Sequence, residues 1–129
     1  MAESASLTFS KRERIVSRKL IEQLFSKGSS QSMSAFPLRI VYMQKERDGE
    51  PLQVLVSVSK RHFKHAVDRN RVKRQIREAY RLHRHLLAQR IPEGISIALA
   101  FIWLSDWHYS SQRIEKSVSR LMEKVAVNV

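Results

Sequence analysis

Residues 60 to 85, KRHFKHAVDRNRVKRQIREAYRLHRH, concentrate positive charge in one continuous segment of the chain. Ten of these 26 residues are Lys or Arg and only Asp68 and Glu78 are acidic, so the segment carries a net charge of +8. Like charges one turn apart repel each other and destabilise an isolated helix. The segment therefore predicts an anionic partner that neutralises it.

Helical periodicity divides residues 67–87 into an apolar and a basic face. At about 100° per residue, the apolar side chains fall on the side expected to pack on a sheet; they are Val72, Ile76, Ala79, Leu82 and Leu86. The opposite side collects Arg69, Asn70, Lys73, Arg74, Arg77, Tyr80, Arg81 and Arg84. Guanidinium groups bind phosphate oxygens through paired hydrogen bonds, and ammonium groups add mobile charges. The pattern predicts a stiff helix whose basic stripe faces a nucleic acid.

A solvated helix face and a membrane-binding helix are the alternatives for the same run of charge. Solvated faces usually mix charges of both signs one turn apart, whereas Arg69, Lys73 and Arg77 follow one another on this face. A lipid-binding helix directs large apolar side chains toward the membrane, and here the apolar side is needed for the core. The distribution of charge favours nucleic acid over both.

The composition of the whole chain agrees with this interpretation. Its 129 residues include 24 basic and 12 acidic side chains, which gives a net charge of +12 and a pI near 10.8, as in nucleic-acid-binding domains. The length fits a single domain over 1–129, with residues 1–16 extended or mobile. The chain has no cysteine, its start lacks the apolar core of a secretory signal, and its longest apolar run, 95–104, is too short to span a bilayer. We expect a cytoplasmic protein.

Two further helices are predicted on either side of the basic segment. Ser17 is expected to cap a helix over 18–27, which Gly28 ends. Ser110 or Ser111 is expected to begin a last helix with a buried stripe of Ile114, Val118, Leu121 and Val125.

Three segments have the apolar pattern of strands. Residues 36–43 alternate, with Pro37 at the start or on an edge, and 52–59 is expected to form a hairpin with them. Residues 95–103 are apolar almost throughout, which is typical of a strand covered on both faces. Residues 29–34 have the composition of a loop. The predicted fold class is an α+β two-layer sandwich, with helices packed on one small sheet.

No constellation of residues suited to cutting a phosphodiester bond stands out. A metal-dependent nuclease needs clustered carboxylates, and the 12 acidic residues are scattered. The pairs His62 with His65 and His83 with His85 are candidates for acid–base chemistry on an RNA 2′-hydroxyl, but a histidine in a basic surface is the simpler interpretation. A zinc site would need Cys or carboxylate ligands beside them. We predict no catalytic residue and no metal site on the protein.

The aromatic residues form a second set of binding candidates. Each is expected in the core, but those beside an open face of the sheet are placed to stack on unpaired bases. The aromatic candidates as a whole are Phe9, Phe25, Phe36, Tyr42, Tyr80, Phe101, Trp103 and Trp107.

The sequence VSVSKR at 56–61, followed by HAVDRNRVKRQIREAYR at 65–81, closely resembles the protein subunit of bacterial ribonuclease P. The signature of that family is an Arg-Asn-Arg core in a helix, preceded by a strand that ends in two basic residues. FSKRERI and LIEQLFSKG upstream, and IALAFIW and RIEKSVSRLMEK downstream, also fit the family. The resemblance covers nearly the whole chain in the same order.

The resemblance implies a binding subunit of an RNA enzyme. In this family a large RNA uses bound Mg²⁺ to remove the 5′ leader of precursor tRNA, and the protein binds that RNA and the leader without a cofactor of its own. The residues that would bind RNA are Lys60, Arg61, Lys64, Arg69, Asn70, Arg71, Lys73, Arg74, Arg77 and Arg81. A structural RNA-binding protein of the ribosomal type and a protein-only ribonuclease that uses His62 or His65 are the competing hypotheses.

The resemblance also implies a cleft and a topology. The leader would lie between the first helix and the sheet, where the candidates are Phe9, Phe25, Phe36, Arg39 and Tyr42. The family fold resembles the second domain of ribosomal small-subunit protein five. It joins two parallel strands through the basic helix by a left-handed crossover, an exception to the usual right-handed rule.

Overall fold

The computed structural model describes residues 14–129 except residues 16, 27, 29 and 48. Residues 1–13 and 16 of the segment expected to be extended or mobile lie outside the described residues, and only Arg14 and Ile15 of that segment are described. The single domain over 1–129 stays a prediction. The elements of the described part are helix α1 (Arg18–Phe25), strands β1 (Gln31–Ala35), β2 (Leu38–Glu46) and β3 (Leu52–Ser57), helices α2 (Ala66–His83) and α3 (His85–Ala88), strand β4 (Ile95–Trp103) and helix α4 (Ser111–Val127). None of the helices in these residues is long and apolar enough to cross a membrane.

Strand β4 occupies the middle of a four-stranded sheet with the order β1-β2-β4-β3. It pairs antiparallel with β2, with Leu38 opposite Trp103, and parallel with β3, with Leu52 opposite Ile97. A strand covered on both faces has no polar alternation, and the residues from Ser96 to Phe101 are all buried. The predicted α+β fold, with helices packed on one small sheet, is confirmed.

The predicted hairpin between residues 36–43 and 52–59 is wrong. Strand β4 lies between β2 and β3, so each of them pairs with β4 instead of with the other. The physical reason is that β4 has hydrogen-bonding backbone groups along both of its edges, and a strand on each side pairs with them. Its apolar side chains on both faces favour this central position, where both faces are covered. Parallel pairing of β3 with β4 requires a crossover connection, which α2 and α3 supply.

The segment 29–34, predicted to be a loop, contributes most of strand β1. This strand forms the actual hairpin with β2, from Gln31 opposite Tyr42 to Ala35 opposite Leu38. Its residues are mainly polar and exposed at the sheet edge, so they lack the apolar alternation that indicates a strand. Pro37 lies immediately before β2, as predicted, where its missing N–H costs no ladder hydrogen bond.

Each face of the sheet carries its own apolar core. The main core lies between the sheet and helices α2, α3 and α4, and its largest buried side chains include Leu38, Ile40, Tyr80, Phe101 and Trp103. The second core lies on the opposite face, where helix α1 packs on β2 and β4 through Leu20, Leu24, Val41, Ala98 and Ala100, together with Ile15. The sheet therefore separates the side of the protein that holds α2 from the side that holds α1.

Helix α2 packs through a face rotated from the one that its periodicity predicts. Val72 and Ile76 are buried as expected, but Leu82 is 37% exposed. Tyr80, assigned by its spacing to the basic side, is fully buried and lies edge-on against Phe101 with ring centroids 6.2 Å apart. Burying an aromatic ring removes more apolar area from water than burying a leucine does, so the helix turns its tyrosine inward. Tyr80 is therefore not part of the basic side.

Serine side chains begin two helices as predicted. Leu20 donates its backbone N–H to Ser17 Oγ at 3.3 Å, and Arg113 donates its backbone N–H to Ser110 Oγ at 3.1 Å. These bonds satisfy backbone donors that the start of a helix otherwise leaves free. Helix α1 ends at Phe25, earlier than predicted, and Gly28 follows in a turn. The predicted stripe of α4 is confirmed, since Ile114, Val118, Leu121 and Val125 are all fully buried.

Replacing Leu99 by Ala tests the central position of β4. Because Leu99 is fully buried in the main core, the free energy of unfolding is expected to fall by about 2–5 kcal/mol. Urea denaturation measures the change, and Val67→Ala is the control, since Val67 is 74% exposed and is expected to change stability by less than about 0.5 kcal/mol. Equal effects of the two substitutions would contradict the assignment of β4 to the centre.

Candidate nucleic-acid interface

The predicted RNA-binding residues lie in the loop before α2 and along its solvent side. Every one of them reaches solvent. Those classed as exposed are Lys60, Arg61, Lys64, Asn70, Arg71 and Arg74, and those that are half-buried are Arg69, Lys73, Arg77 and Arg81. The ten residues thus lie on the loop before α2 and on α2 itself. We call the solvent-accessible surface formed by these ten side chains the α2 stripe. Their contact with RNA stays a prediction.

Arg69 has a structural role within the α2 stripe. Its Nη1 donates to the backbone carbonyls of Phe63 and Lys64, both at 2.9 Å. These two bonds tie the loop before α2 to the first turn of the helix. Part of the hydrogen-bonding capacity of Arg69 is therefore committed to the protein, whereas Arg71 and Arg74 project from the exposed side of the helix.

Arg14 joins the α2 stripe from a distant part of the sequence. It forms a parallel bridge with Val54, and Ile15 donates its backbone N–H to the Val54 carbonyl at 3.0 Å. This pairing places Arg14 in a groove of about 390 Å³ that is lined by Arg14, Asn70, Arg74, Arg77, Glu78 and Arg81. Sequence analysis missed Arg14, because the only signal was its basic neighbourhood and nothing indicated that it pairs with β3.

Arg14 and Arg77 are two of the four arginines that line this groove. Partial burial lowers the pKa of Arg77 below its ordinary value, and the positive charge of Arg14 lowers it further. Both causes disfavour the charged form of Arg77 in the free protein. An anion that entered the groove would relieve the repulsion between the two charges, so the groove is suited to a phosphate group.

Arg81 is partly neutralised at the end of the stripe. Its Nε donates to Glu78 Oε2 at 3.0 Å. This hydrogen bond lowers the pKa of the Glu78 carboxyl and raises the pKa of Arg81. Because the negative charge of the Glu78 carboxylate lies beside Arg81, this arginine contributes less net positive charge to the stripe than Arg71 or Arg74.

A second groove lies between α1 and the sheet, on the face opposite to α2. Its volume is about 400 Å³, and it is lined by Leu24, Phe25, Ser26, Gly28, Ser30, Gln31, Ser32, Arg39, Val41 and Ile102. Phe25 is 48% exposed there. Arg39 Nη2 donates to Ser32 Oγ at 3.3 Å across the β1–β2 hairpin. An aromatic ring and a guanidinium group therefore share this groove, which we call the α1 groove.

The predicted position of Phe36 and Tyr42 in the α1 groove is wrong. Tyr42 is 2% exposed in the main core, and its hydroxyl donates to Gln31 Oε1 at 2.9 Å. Phe36 is 52% exposed but packs edge-on against Tyr109 on the α4 side. Side chains alternate across a strand, so the residues of β2 that share a face with Leu38 cannot share one with Arg39. Phe9 lies outside the described residues.

The histidines of the basic segment take part in contacts between elements. His62 Nδ1 lies 2.8 Å from Asp106 Oδ1, and His83 Nε2 lies 2.9 Å from Glu115 Oε1. His65 is the exposed residue that precedes α2. His62 and His83, one from each predicted pair, thus each contact a carboxylate from another part of the fold. Among residues 14–129, apart from the four gaps, no three His, Asp or Glu side chains are grouped closely enough to hold a metal ion.

A mixed sheet with a basic helix on one side and an aromatic, cationic groove on the other defines an α+β protein suited to binding a polyanion. Residues 9–126 match the model of the family described as Ribonuclease P. The chain belongs to the ribonuclease P protein family.

The relatives agree with this assignment, and solved structures share the fold. The chain is 37% identical to the ribonuclease P protein component of Porphyromonas gingivalis, covering 100% of this chain and 94% of the relative. It is 33% identical to that of Chlorobium phaeobacteroides over 92% and 88% of the two chains. The fold is similar to RNase P proteins from Staphylococcus aureus (TM-score 0.68, 18% identity, covering 89% of this chain and 96% of that one) and Thermotoga maritima (0.68, 16%, 88% and 97%).

Arg69→Ala and Arg71→Ala are expected to differ in their effect on the free protein. Arg69→Ala removes two hydrogen bonds from a charged donor and should lower the free energy of unfolding by about 1–2 kcal/mol, the lower part of the usual range because the site is partly exposed. Arg71→Ala should change it by less than about 0.5 kcal/mol. Urea denaturation without RNA measures both, and equal stability of the two variants would rule out the structural role of Arg69.

Proposed function

We propose that this chain is the RNA-binding protein subunit of ribonuclease P. It binds the catalytic RNA along the α2 stripe and the 5′ leader of precursor tRNA in the α1 groove, and it assists Mg²⁺-dependent removal of the leader in the cytoplasm. The observation that carries the proposal is the one-sided basic surface of α2 in a chain of this family. In this proposal the protein supplies cations and the RNA supplies the reacting groups.

The α2 stripe fits a folded RNA backbone through its charge and its stiffness. Arg71 and Arg74 are exposed on consecutive turns of α2, and the groove beside them holds Arg14 and Arg77. Phosphate contacts by such residues release condensed counterions and make binding depend steeply on salt. They carry little sequence information, so the stripe positions the RNA and leaves its bases unread.

Charge neutralisation also explains how such a subunit would assist Mg²⁺ chemistry. Phosphates that are brought together in a folded RNA repel one another until cations screen them. Guanidinium groups that cover part of this charge reduce the number of free cations that folding requires. The RNA then holds its Mg²⁺ ions at lower Mg²⁺ concentration, and the protein needs no metal ligand of its own.

The α1 groove fits an unpaired strand better than a duplex. Phe25 offers a half-exposed ring on which a base can stack, and Arg39 places a positive charge on the neighbouring strand. Bases in a duplex are already stacked on each other, whereas a single-stranded leader has free faces. The groove would thus hold one or two nucleotides of the leader by stacking and by a phosphate contact.

The direct test is precursor-tRNA cleavage by the cognate catalytic RNA at low Mg²⁺ concentration. Adding the purified chain should raise the cleavage rate, and a variant with both Arg71→Ala and Arg74→Ala should bind the catalytic RNA with a salt dependence flatter by about two units, one per lost phosphate contact. The control carries Lys116→Ala and Lys124→Ala, which removes two exposed charges from α4.

Three outcomes would contradict the proposal. Absence of stimulation together with RNA binding would indicate a structural RNA-binding protein instead. Cleavage by the chain freed of nucleic acid would place the chemistry on the protein. An unchanged salt dependence in the α2 variant would mean that RNA does not dock on the α2 stripe.

Phe25→Ala and Phe36→Ala form a matched pair for the α1 groove. The two rings are similarly exposed, 48% and 52%, but lie on opposite faces of the sheet. Phe25→Ala should raise the Kd of the complex for precursor tRNA roughly 5- to 100-fold, the range of one lost base stack, and should leave the Kd for leaderless tRNA unchanged. Phe36→Ala should change neither. Unchanged affinity of Phe25→Ala for precursor tRNA, measured by competition binding, would exclude the groove.

A further inference from the structure

Trp107 is an exposed aromatic residue that neither the α2 stripe nor the α1 groove includes. It lies in the 104–110 loop between β4 and α4, and 74% of its surface is accessible to solvent. The other tryptophan, Trp103, is 1% exposed in the main core. The free-energy cost of exposing an apolar ring to water grows with its exposed area, so we consider Trp107 a candidate contact residue.

The backbone around Trp107 is held in place by its own loop. Trp107 donates its N–H to Ser105 Oγ at 3.0 Å, and Ser105 is itself buried. Leu104 donates its N–H to the Pro37 carbonyl at 2.9 Å. The backbone that carries the indole is therefore already ordered, and the loop would lose little conformational entropy when a partner binds.

The residues on both sides of Trp107 contact the basic segment. Asp106 Oδ1 lies 2.8 Å from His62 Nδ1. On the other side, His108 stacks on Phe63 with ring centroids 4.5 Å apart, and its Nε2 lies 3.1 Å from Asp68 Oδ1. These contacts bring the 104–110 loop against residues 62–68, at the start of the α2 stripe.

The exposed Trp107 therefore belongs to a loop that packs against the basic loop before α2. Lys60, Arg61 and Lys64 are exposed next to the residues that hold the 104–110 loop. Asp106 is the acidic residue next to Trp107 in the sequence, and its carboxylate contacts His62. The surface combines one flat aromatic ring with several positive charges, which is the combination that proteins use to hold unpaired nucleotides.

We propose that Trp107 stacks on an unpaired base of the RNA that the α2 stripe binds, while Lys60 and Arg61 contact the adjacent phosphates. The proposal rests on the proposed function, and it adds a third contact surface that reads single-stranded RNA outside the α1 groove. A protein partner fits less well, because a stable protein interface buries about 800 Å² on each side, far more than one indole offers. The nucleotide belongs either to the catalytic RNA or to the precursor tRNA.

The test compares Trp107→Leu with Trp107→Phe in the full chain. Leucine keeps an apolar side chain but cannot stack on a base, whereas phenylalanine keeps a ring. Kd values are measured separately for the catalytic RNA and for precursor tRNA bound to the reconstituted complex. Trp107→Leu should raise the Kd for one of these RNAs roughly 5- to 100-fold without changing its salt dependence, and Trp107→Phe should restore most of the affinity. The RNA that is affected identifies the source of the nucleotide.

Fluorescence of Trp107 provides a second readout. In a Trp103→Phe variant, Trp107 is the single tryptophan of the chain, and stacking on a base should quench its emission when RNA is added. Urea denaturation checks that each variant is folded.

Unchanged affinity of Trp107→Leu for both RNAs, or an emission that RNA does not alter, overturns the proposal. If the wild-type chain still stimulates cleavage in that case, the proposed function stands and only the Trp107 contact fails. If the wild-type chain binds neither RNA, both fail. Loss of self-association in Trp107→Leu with unchanged RNA affinity would assign the indole to a second copy of the chain and also overturns it.

Discussion

The parallel pairing of β3 with β4 is the constraint on which the rest of the structure depends. Two parallel neighbours cannot be joined by a tight turn, so the chain between them must cross one face of the sheet. That crossing is made by α2, whose apolar side is fixed against the sheet and α4. Once this side is fixed, the direction of the charged side chains on the other side is fixed as well. The basic surface is thus a consequence of strand order.

The sequence predicts most of the elements but not their pairing. The uniform apolarity of 95–103 identifies a central strand, and Ser17 and Ser110 identify two helix starts, because these signals are local. The pairing of β2 with β4 is decided between residues far apart in sequence, so the expected hairpin was wrong. Tyr80 shows the same limit on one helix: spacing places it among the arginines, and only the fit against Phe101 brings it inside.

The candidate site was predictable where it is continuous in sequence. Periodicity finds the members of the α2 stripe on the basic side of the helix. The resemblance to the family adds Arg71 and the basic residues of the loop before the helix, which are Lys60, Arg61 and Lys64. Arg14 was missed because it arrives through a bridge to Val54. Phe36 and Tyr42 were misplaced because the face on which a β2 residue lies is set by register, which the resemblance to a family does not give residue by residue.

Arg14 and Ile15 connect the two sides of the protein. The side chain of Arg14 lines the groove beside α2, while Ile15 is buried with Leu20 and Leu24 under α1. The α2 stripe and the α1 groove therefore keep a fixed relative position that does not depend on RNA. This arrangement suits a protein that has to hold two RNA segments at a set distance.

The same bridge has a consequence for the protein in the absence of any RNA. Strand β3 is the last strand of the sheet, and a free strand edge is a template for pairing with another chain. The hydrogen bond from Ile15 to the Val54 carbonyl occupies the middle of that edge, while Arg14 adds a charge beside it. Two residues thereby block part of the β3 edge and oppose self-assembly through it during the interval before the subunit meets its nucleic acid.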